Sequence, residues 1–89
     1  MQLTWIPVKN STIQYQMIDH QAVLVMPVEG KVKVLNQVGA FIWDKIDGIL
    51  SLNDLIKLIT DTFEIHPEQA TFDLIEFLQE LKQKNMVQF

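Results

Sequence analysis

The chain changes its hydrophobic rhythm once, at Asn36, and that change limits the folds open to it. Before it, apolar residues alternate with polar ones, which is the two-residue period of strands. After it, they recur every three or four residues, which is the period of helices. Strands first and helices second give an α+β fold, with the sheet and the helices segregated, rather than an alternating α/β one.

Three strands are predicted in the first part. Residues 13–18, IQYQMI, put Ile13, Tyr15 and Met17 on one face and Gln14, Gln16 and Ile18 on the other, as a half-buried strand does. Asp19-His20-Gln21 reads as a hairpin turn. Residues 22–26, AVLVM, are continuously apolar and stop at Pro27, so they read as a more central strand. Pro27-Val28-Glu29-Gly30 has the composition of a turn, with its glycine last. Residues 31–35, KVKVL, alternate again: Lys31 and Lys33 face one way, Val32 and Val34 the other, and one face is wet. Short turns between consecutive strands imply an antiparallel meander, which places residues 31–35 at a sheet edge. Residues 1–12 show no clear period. Trp5-Ile6 before Pro7 reads as a short extended arm, with Trp5 tucked against a core edge.

Three helices follow. Asn36 is suited to cap the first, because its side-chain oxygen accepts from the free amides of the next turn. Val38, Phe41, Ile42 and Ile46 form that helix's apolar stripe, Gly39-Ala40 admit a close neighbour, and Gly48 is placed to stop it near Asp47. Ser51 caps the second, with Asp54 as its capping-box partner. Leu52, Leu55, Ile56, Ile59 and Phe63 give its inner face. His66-Pro67-Glu68 opens the third, where proline suits the first turn and a carboxylate suits the positive end of the helix dipole. That helix is expected to reach about Lys84, and the tail MVQF is apolar enough to fold back as a short strand.

The third helix carries more apolar surface than one core face needs. Ala70, Leu74, Phe77, Leu78 and Leu81 make the core stripe, and Asp73, Glu76 and Glu80 an acidic side. Phe72 and Ile75 belong to neither, and lie beside Thr71, Gln79 and Lys82. They either meet the second helix or the tail, or line a groove. The edge lysines Lys31 and Lys33 have two readings as well. Lysines guard sheet edges against aggregation, and they also attract an acidic peptide that pairs with the edge.

Composition removes several classes of function. Eighty-nine residues make one domain, spanning 1–89. The chain has no cysteine, which excludes disulfides, thiolate metal sites and a cysteine nucleophile. His20 and His66 lack a second ligand at metal-binding spacing, so no metal site and no cofactor are expected. No serine sits in a nucleophile elbow, and the three scattered glycines form no phosphate loop, so the chain is not expected to be an enzyme. The net charge is −4 and every cation is lysine. Without arginine, the preferred reader of phosphate and guanine, no nucleic-acid partner is expected. A winged-helix reading, with the third helix in a DNA groove, would aim Asp73, Glu76 and Glu80 at phosphates. There is no signal-peptide pattern and no apolar run of membrane-spanning length, so no membrane partner and a cytoplasmic location are expected.

Leu35-Asn36, Gly39-Ala40, Ile42-Trp43, Ile46 and Asp47-Gly48 together resemble the signature of the PqqD-like family, the leader-peptide recognition domains of pathways that modify ribosomally made peptides. The resemblance covers roughly residues 13–86. It implies a three-stranded antiparallel sheet followed by three helices, winged-helix-like in outline. It implies a non-catalytic peptide chaperone that binds the leader of a precursor peptide by strand addition, between the third strand and the third helix. The partners would be that leader and a modifying enzyme or leader protease, in a lasso-type pathway or, second, in pyrroloquinoline quinone synthesis. Carried onto this chain, the peptide backbone lies along Lys31, Val32, Lys33 and Val34. Phe72, Ile75, Gln79 and Lys82 form the groove wall, with Leu78 at its floor. Leu35, Asn36, Trp43 and Gly48 are implied to be structural. From another class, an oligomerisation adapter pairing edge to edge with its own copy also fits.

Overall fold

The computed structural model describes residues 2–26 and 29–89. The chain runs β1 (Val8–Lys9), β2 (Gln14–Ile18), β3 (Gln21–Met26), β4 (Lys31–Leu35), α1 (Gln37–Lys45), α2 (Leu52–Phe63), α3 (Pro67–Gln83) and β5 (Val87–Gln88). Strands β2, β3 and β4 form the expected antiparallel meander, with β3 in the middle. The α+β fold, a three-stranded sheet followed by three helices, is the one the change of rhythm predicts.

The first hairpin is tighter than its sequence suggests. Ile18 pairs with Gln21, so the loop is Asp19-His20 alone, with Asp19 in the left-handed region at φ 56°. Gln21 belongs to β3. In the second turn, Pro27 and Val28 lie outside the described residues. Gly30 takes φ 65° and its N–H donates to the Met26 carbonyl at 2.8 Å.

The core lies between the inner face of β3 and the three helices. Ala22, Leu24 and Met26 point into it from β3, and Leu35 from the end of β4. Leu52, Leu55 and Ile59 enter from α2, and Ala70, Leu74, Leu78 and Leu81 from α3. In α1 the buried residues are Gly39, Ala40, Ile42 and Trp43, with Ile46 just beyond. Val38 and Phe41, expected in that stripe, are half-buried on its flanks. Trp43 is fully buried and meets Tyr15 of β2 edge to face at 5.6 Å. Its indole N–H has no hydrogen-bond partner among the described residues, so it acts through volume, with Lys9 Nζ 5.3 Å over its ring.

The caps explain the helix boundaries. Asn36 Oδ1 accepts from Gly39 N–H at 2.9 Å. Ser51 and Asp54 form the complete reciprocal capping box. His66 caps α3 through Nδ1, which accepts from Glu68 N–H at 3.2 Å ahead of Pro67. One boundary differs from expectation. Helix α1 ends at Lys45, and Ile46 is already extended at ψ 105°. The stop is made by Asp47, whose Oδ1 accepts from both Ile49 N–H and Leu50 N–H at 2.9 Å. Gly48, at φ 77°, serves that turn rather than the helix end.

The N-terminal arm acquires partners. Leu3 and Trp5 carbonyls accept from Asn53 and Leu52 N–H at 2.9 Å, satisfying first-turn donors of α2. Strand β1 then pairs antiparallel with β5, Val8 with Gln88 and Lys9 with Val87. The tail therefore does fold back, and its strand partner is the arm. It buries Met86 and Val87, and Phe89 meets Trp5 at 5.7 Å between ring centroids.

Candidate functional site

Strand β4 is the sheet edge that the meander predicts. It pairs only with β3 among the described residues, so one side of its backbone is open. Residues 31, 33 and 35 share one face and residues 32 and 34 the other. Leu35 is buried, which turns Lys33 toward the helices and leaves Val32 and Val34 outward, 60% and 59% exposed. The valines, not the lysines, hold the wet face. The pairing with core-facing Leu35 decides this, because a two-residue period cannot put Leu35 inside and Lys33 outside.

Between β4, the start of α1 and α3 lies a cleft of about 380 Å³. Leu35, Val38, Ile42 and Phe77 give it apolar surface, Val34 borders it at the strand's open edge, and Lys33, Asn36, Asp73 and Glu80 give it polar rim and walls. Lys33 Nζ donates to Glu80 Oε1 at 2.5 Å, joining strand to helix across the cleft. Lys84, one turn further on, also reaches Glu80 at 3.5 Å. The Lys33 hydrogen bond holds the Glu80 carboxyl below its ordinary value of 4.5, partly offset by desolvation and helped by both lysine charges. Gly39 belongs to the same architecture. A Cβ there would lie 3.3 Å from Phe77 Cε1, so the small residue makes room for the Phe77 ring rather than for another backbone.

The structure divides the expected site residues. Lys31, Val32, Lys33 and Val34 lie together along the open edge. Leu78 is fully buried in the core, beneath α3 rather than on a groove surface. Gln79 and Lys82 are on the other flank of α3. With Trp5, Gln83 and Phe89 they border a separate hollow of about 550 Å³. There Lys82 Nζ stands 4.5 Å over the Phe89 ring, a cation–π contact with the tail. Ile75 is half-buried, and Phe72 is 62% exposed and borders neither hollow. The α3 wall of the β4 cleft is therefore Asp73, Phe77 and Glu80, not Phe72, Ile75, Gln79 and Lys82.

The reason is geometric. A core stripe has two flanks, and helical periodicity does not say which one faces the strand. Phe77 reads as core by spacing, but it stands at the stripe's edge in phase with Asp73 and Glu80. The available signal was charge: acidic residues on that flank complement Lys33 on the strand. No trio of His, Asp or Glu side chains that could hold a metal occurs among the described residues. No helix among them is long and apolar enough to cross a membrane.

Comparison with known proteins identifies the fold and the family. The chain resembles two solved structures across nearly its whole length. "TbiB1 in Complex with the TbiA(beta) Leader Peptide" superposes with a TM-score of 0.84 at 21% identity, covering 91% of this chain and 94% of that one. "Lasso peptide synthetase B1 complexed with the leader peptide" gives 0.83 at 21% identity, covering 96% and 100%. At this identity they establish a shared fold. Among curated protein sequences there is no significant match. The profile of the family described as "Coenzyme PQQ synthesis protein D (PqqD)" matches residues 21–87, from the first residue of β3 into β5. With three quarters of its length matched, the chain belongs to the PqqD family.

Proposed function

We propose that this domain is a non-catalytic chaperone that binds an extended peptide as a fourth strand beside β4. The observation that carries the reading is the open β4 edge running along a cleft with an apolar floor. An edge strand supplies backbone donors and acceptors for affinity, and a flanking cleft selects alternate side chains. Both similar solved structures hold leader peptides, which supports a precursor leader as the ligand. Their titles favour a lasso-type pathway, and the family description points second to quinone synthesis. The peptide is then handed to a modifying enzyme or a leader protease. Binding to both raises the effective concentration of one at the other.

In this reading the peptide backbone pairs with Lys31–Val34. Inward side chains descend toward Leu35, Val38 and Phe77, passing the Lys33–Glu80 bridge. Glu80 keeps Lys84 when a peptide carboxylate draws Lys33 away, so the exchange leaves no isolated charge.

The test is a backbone NMR titration with the leader of the precursor encoded beside this gene. Shifts should concentrate on residues 31–35, on Val38 and Gly39, and on Asp73, Phe77 and Glu80. A response centred on Gln79, Lys82 and Phe89 would move the site to the other flank of α3. No response to the leader would overturn the reading.

A further inference from the structure

We infer that the outward face of β4 is a second selecting surface, so the bound peptide is apolar on both of its faces. The inference rests on strand addition at β4. Val32 and Val34 are the most solvent-exposed valines among the described residues, at 60% and 59%. The register sets Val25 beside Val32 and Val23 beside Val34, which makes a continuous block of four valines on the outer face of the sheet. That block is not centred on the sheet. On β2 the next neighbours are Gln14, opposite Val25, and Gln16, opposite Val23. The apolar surface therefore ends at β3 on one side and runs to the open edge on the other. It contains no charge, since Lys31 and Lys33 belong to the opposite face.

This asymmetry identifies the occupant. A protein laid flat on the sheet would have to cover the glutamines as well, and four valines fall far short of the roughly 1,200 Å² of a stable interface. An added strand needs only the edge half. Its outward side chains would stand directly beside Val32 and Val34, at the spacing where apolar cross-strand pairs stabilise sheets. Edge strands are usually blunted by charge. Here the charge is turned inward over the cleft, and the outward side is left apolar where a partner strand would meet it. Val32 and Val34 thereby select β-branched or aromatic residues at alternate positions of the peptide, interleaved with the residues that enter the cleft.

The experiment is selection of a displayed library of random peptides, about 12 residues long, on the intact protein and on a Val32→Thr/Val34→Thr double variant. Threonine keeps the β-branched shape and strand preference, and thermal melting will confirm that the variant is folded. The wild type should enrich peptides with apolar residues on both alternating faces. The variant should enrich peptides with one apolar face only, and wild-type-selected peptides should bind it about two- to tenfold more weakly. Wild-type peptides apolar on one face only, or equal affinity for both proteins, would overturn the inference while leaving strand addition standing. Failure to enrich any edge-binding peptide would overturn strand addition itself, and this inference with it.

Discussion

The two flanks of α3 begin alike and end differently. Each faces a hollow bordered by an aromatic ring and a lysine: Phe77 and Lys33 on one side, Phe89 and Lys82 on the other. On the Phe89 side the chain supplies its own strands. β1 and β5 pair there, Trp5 meets Phe89, and Lys82 covers the ring. On the Phe77 side β4 has no outer partner among the described residues, and the Lys33–Glu80 ion pair spans the gap. The same helix thus carries one flank closed by the fold's own strands and one beside an open sheet edge. An exposed apolar residue on α3 is not by itself a sign of a site. The sign is an unpaired edge beside it.

The largest effect that would test this comparison is on stability. Leu78 lies beneath α3 and is fully buried, so Leu78→Ala should cost about 2–5 kcal/mol in denaturant unfolding. Phe72→Ala, at an exposed position, should stay within about 0.5 kcal/mol. A large loss at Phe72 would mean that α3 is rotated from the position described.

Next comes affinity. Phe77→Ala should weaken binding of the leader at least about tenfold, because it removes a ring from the cleft. Lys82→Ala should change it less than about twofold in the same calorimetric titration. The reverse order would assign the peptide to the flank beside the tail.

A smaller effect belongs to the bridge. A double-mutant cycle on Lys33→Ala and Glu80→Ala should give a coupling of no more than about 1 kcal/mol, weakened by salt, because Glu80 is 46% exposed. A coupling several times larger would make the bridge a structural strut rather than a displaceable contact.

The smallest effect is on pH dependence. Glu80 and Asp47 both titrate below their ordinary values of 4.5 and 3.8, Glu80 through Lys33 and Asp47 through the N–H groups of Leu50 and Ile49. Folded pKa values below the unfolded ones mean that their stabilisation is complete above the ordinary values. It is lost as pH falls through the depressed ones. Stability should therefore be flat in these groups near neutrality and decline in acid. Asp47→Asn should flatten part of that decline, and an unchanged acid limb would remove Asp47 from it.

Much of the fold was legible because its determinants are local. The caps at Asn36, Ser51 and His66, and the alternation in β2 and β4, depend on residues a few positions apart. The meander follows from short turns. The cleft wall was not legible, because it depends on how α3 lies against β4, across more than forty residues of chain. The inward turn of Lys33 was recoverable within β4 itself, by its parity with apolar Leu35. The arm was expected to be extended with Trp5 at a core edge, but its partners were not legible because the start of α2 and the tail lie far away in sequence. The end of α1 was misplaced because Gly48 resembles a helix terminator, while the Asp47 side chain ends the helix first.

The clasp between Val8–Lys9 and Val87–Gln88 has a consequence for how this domain can be tethered. It sets Val8–Lys9 beside Val87–Gln88, with Trp5 5.7 Å from Phe89, so the first and last strands of the fold share one place. A label, linker or second protein fused at either end departs from the same place. Cargo on one side of the clasp and an anchor on the other would be held as neighbours.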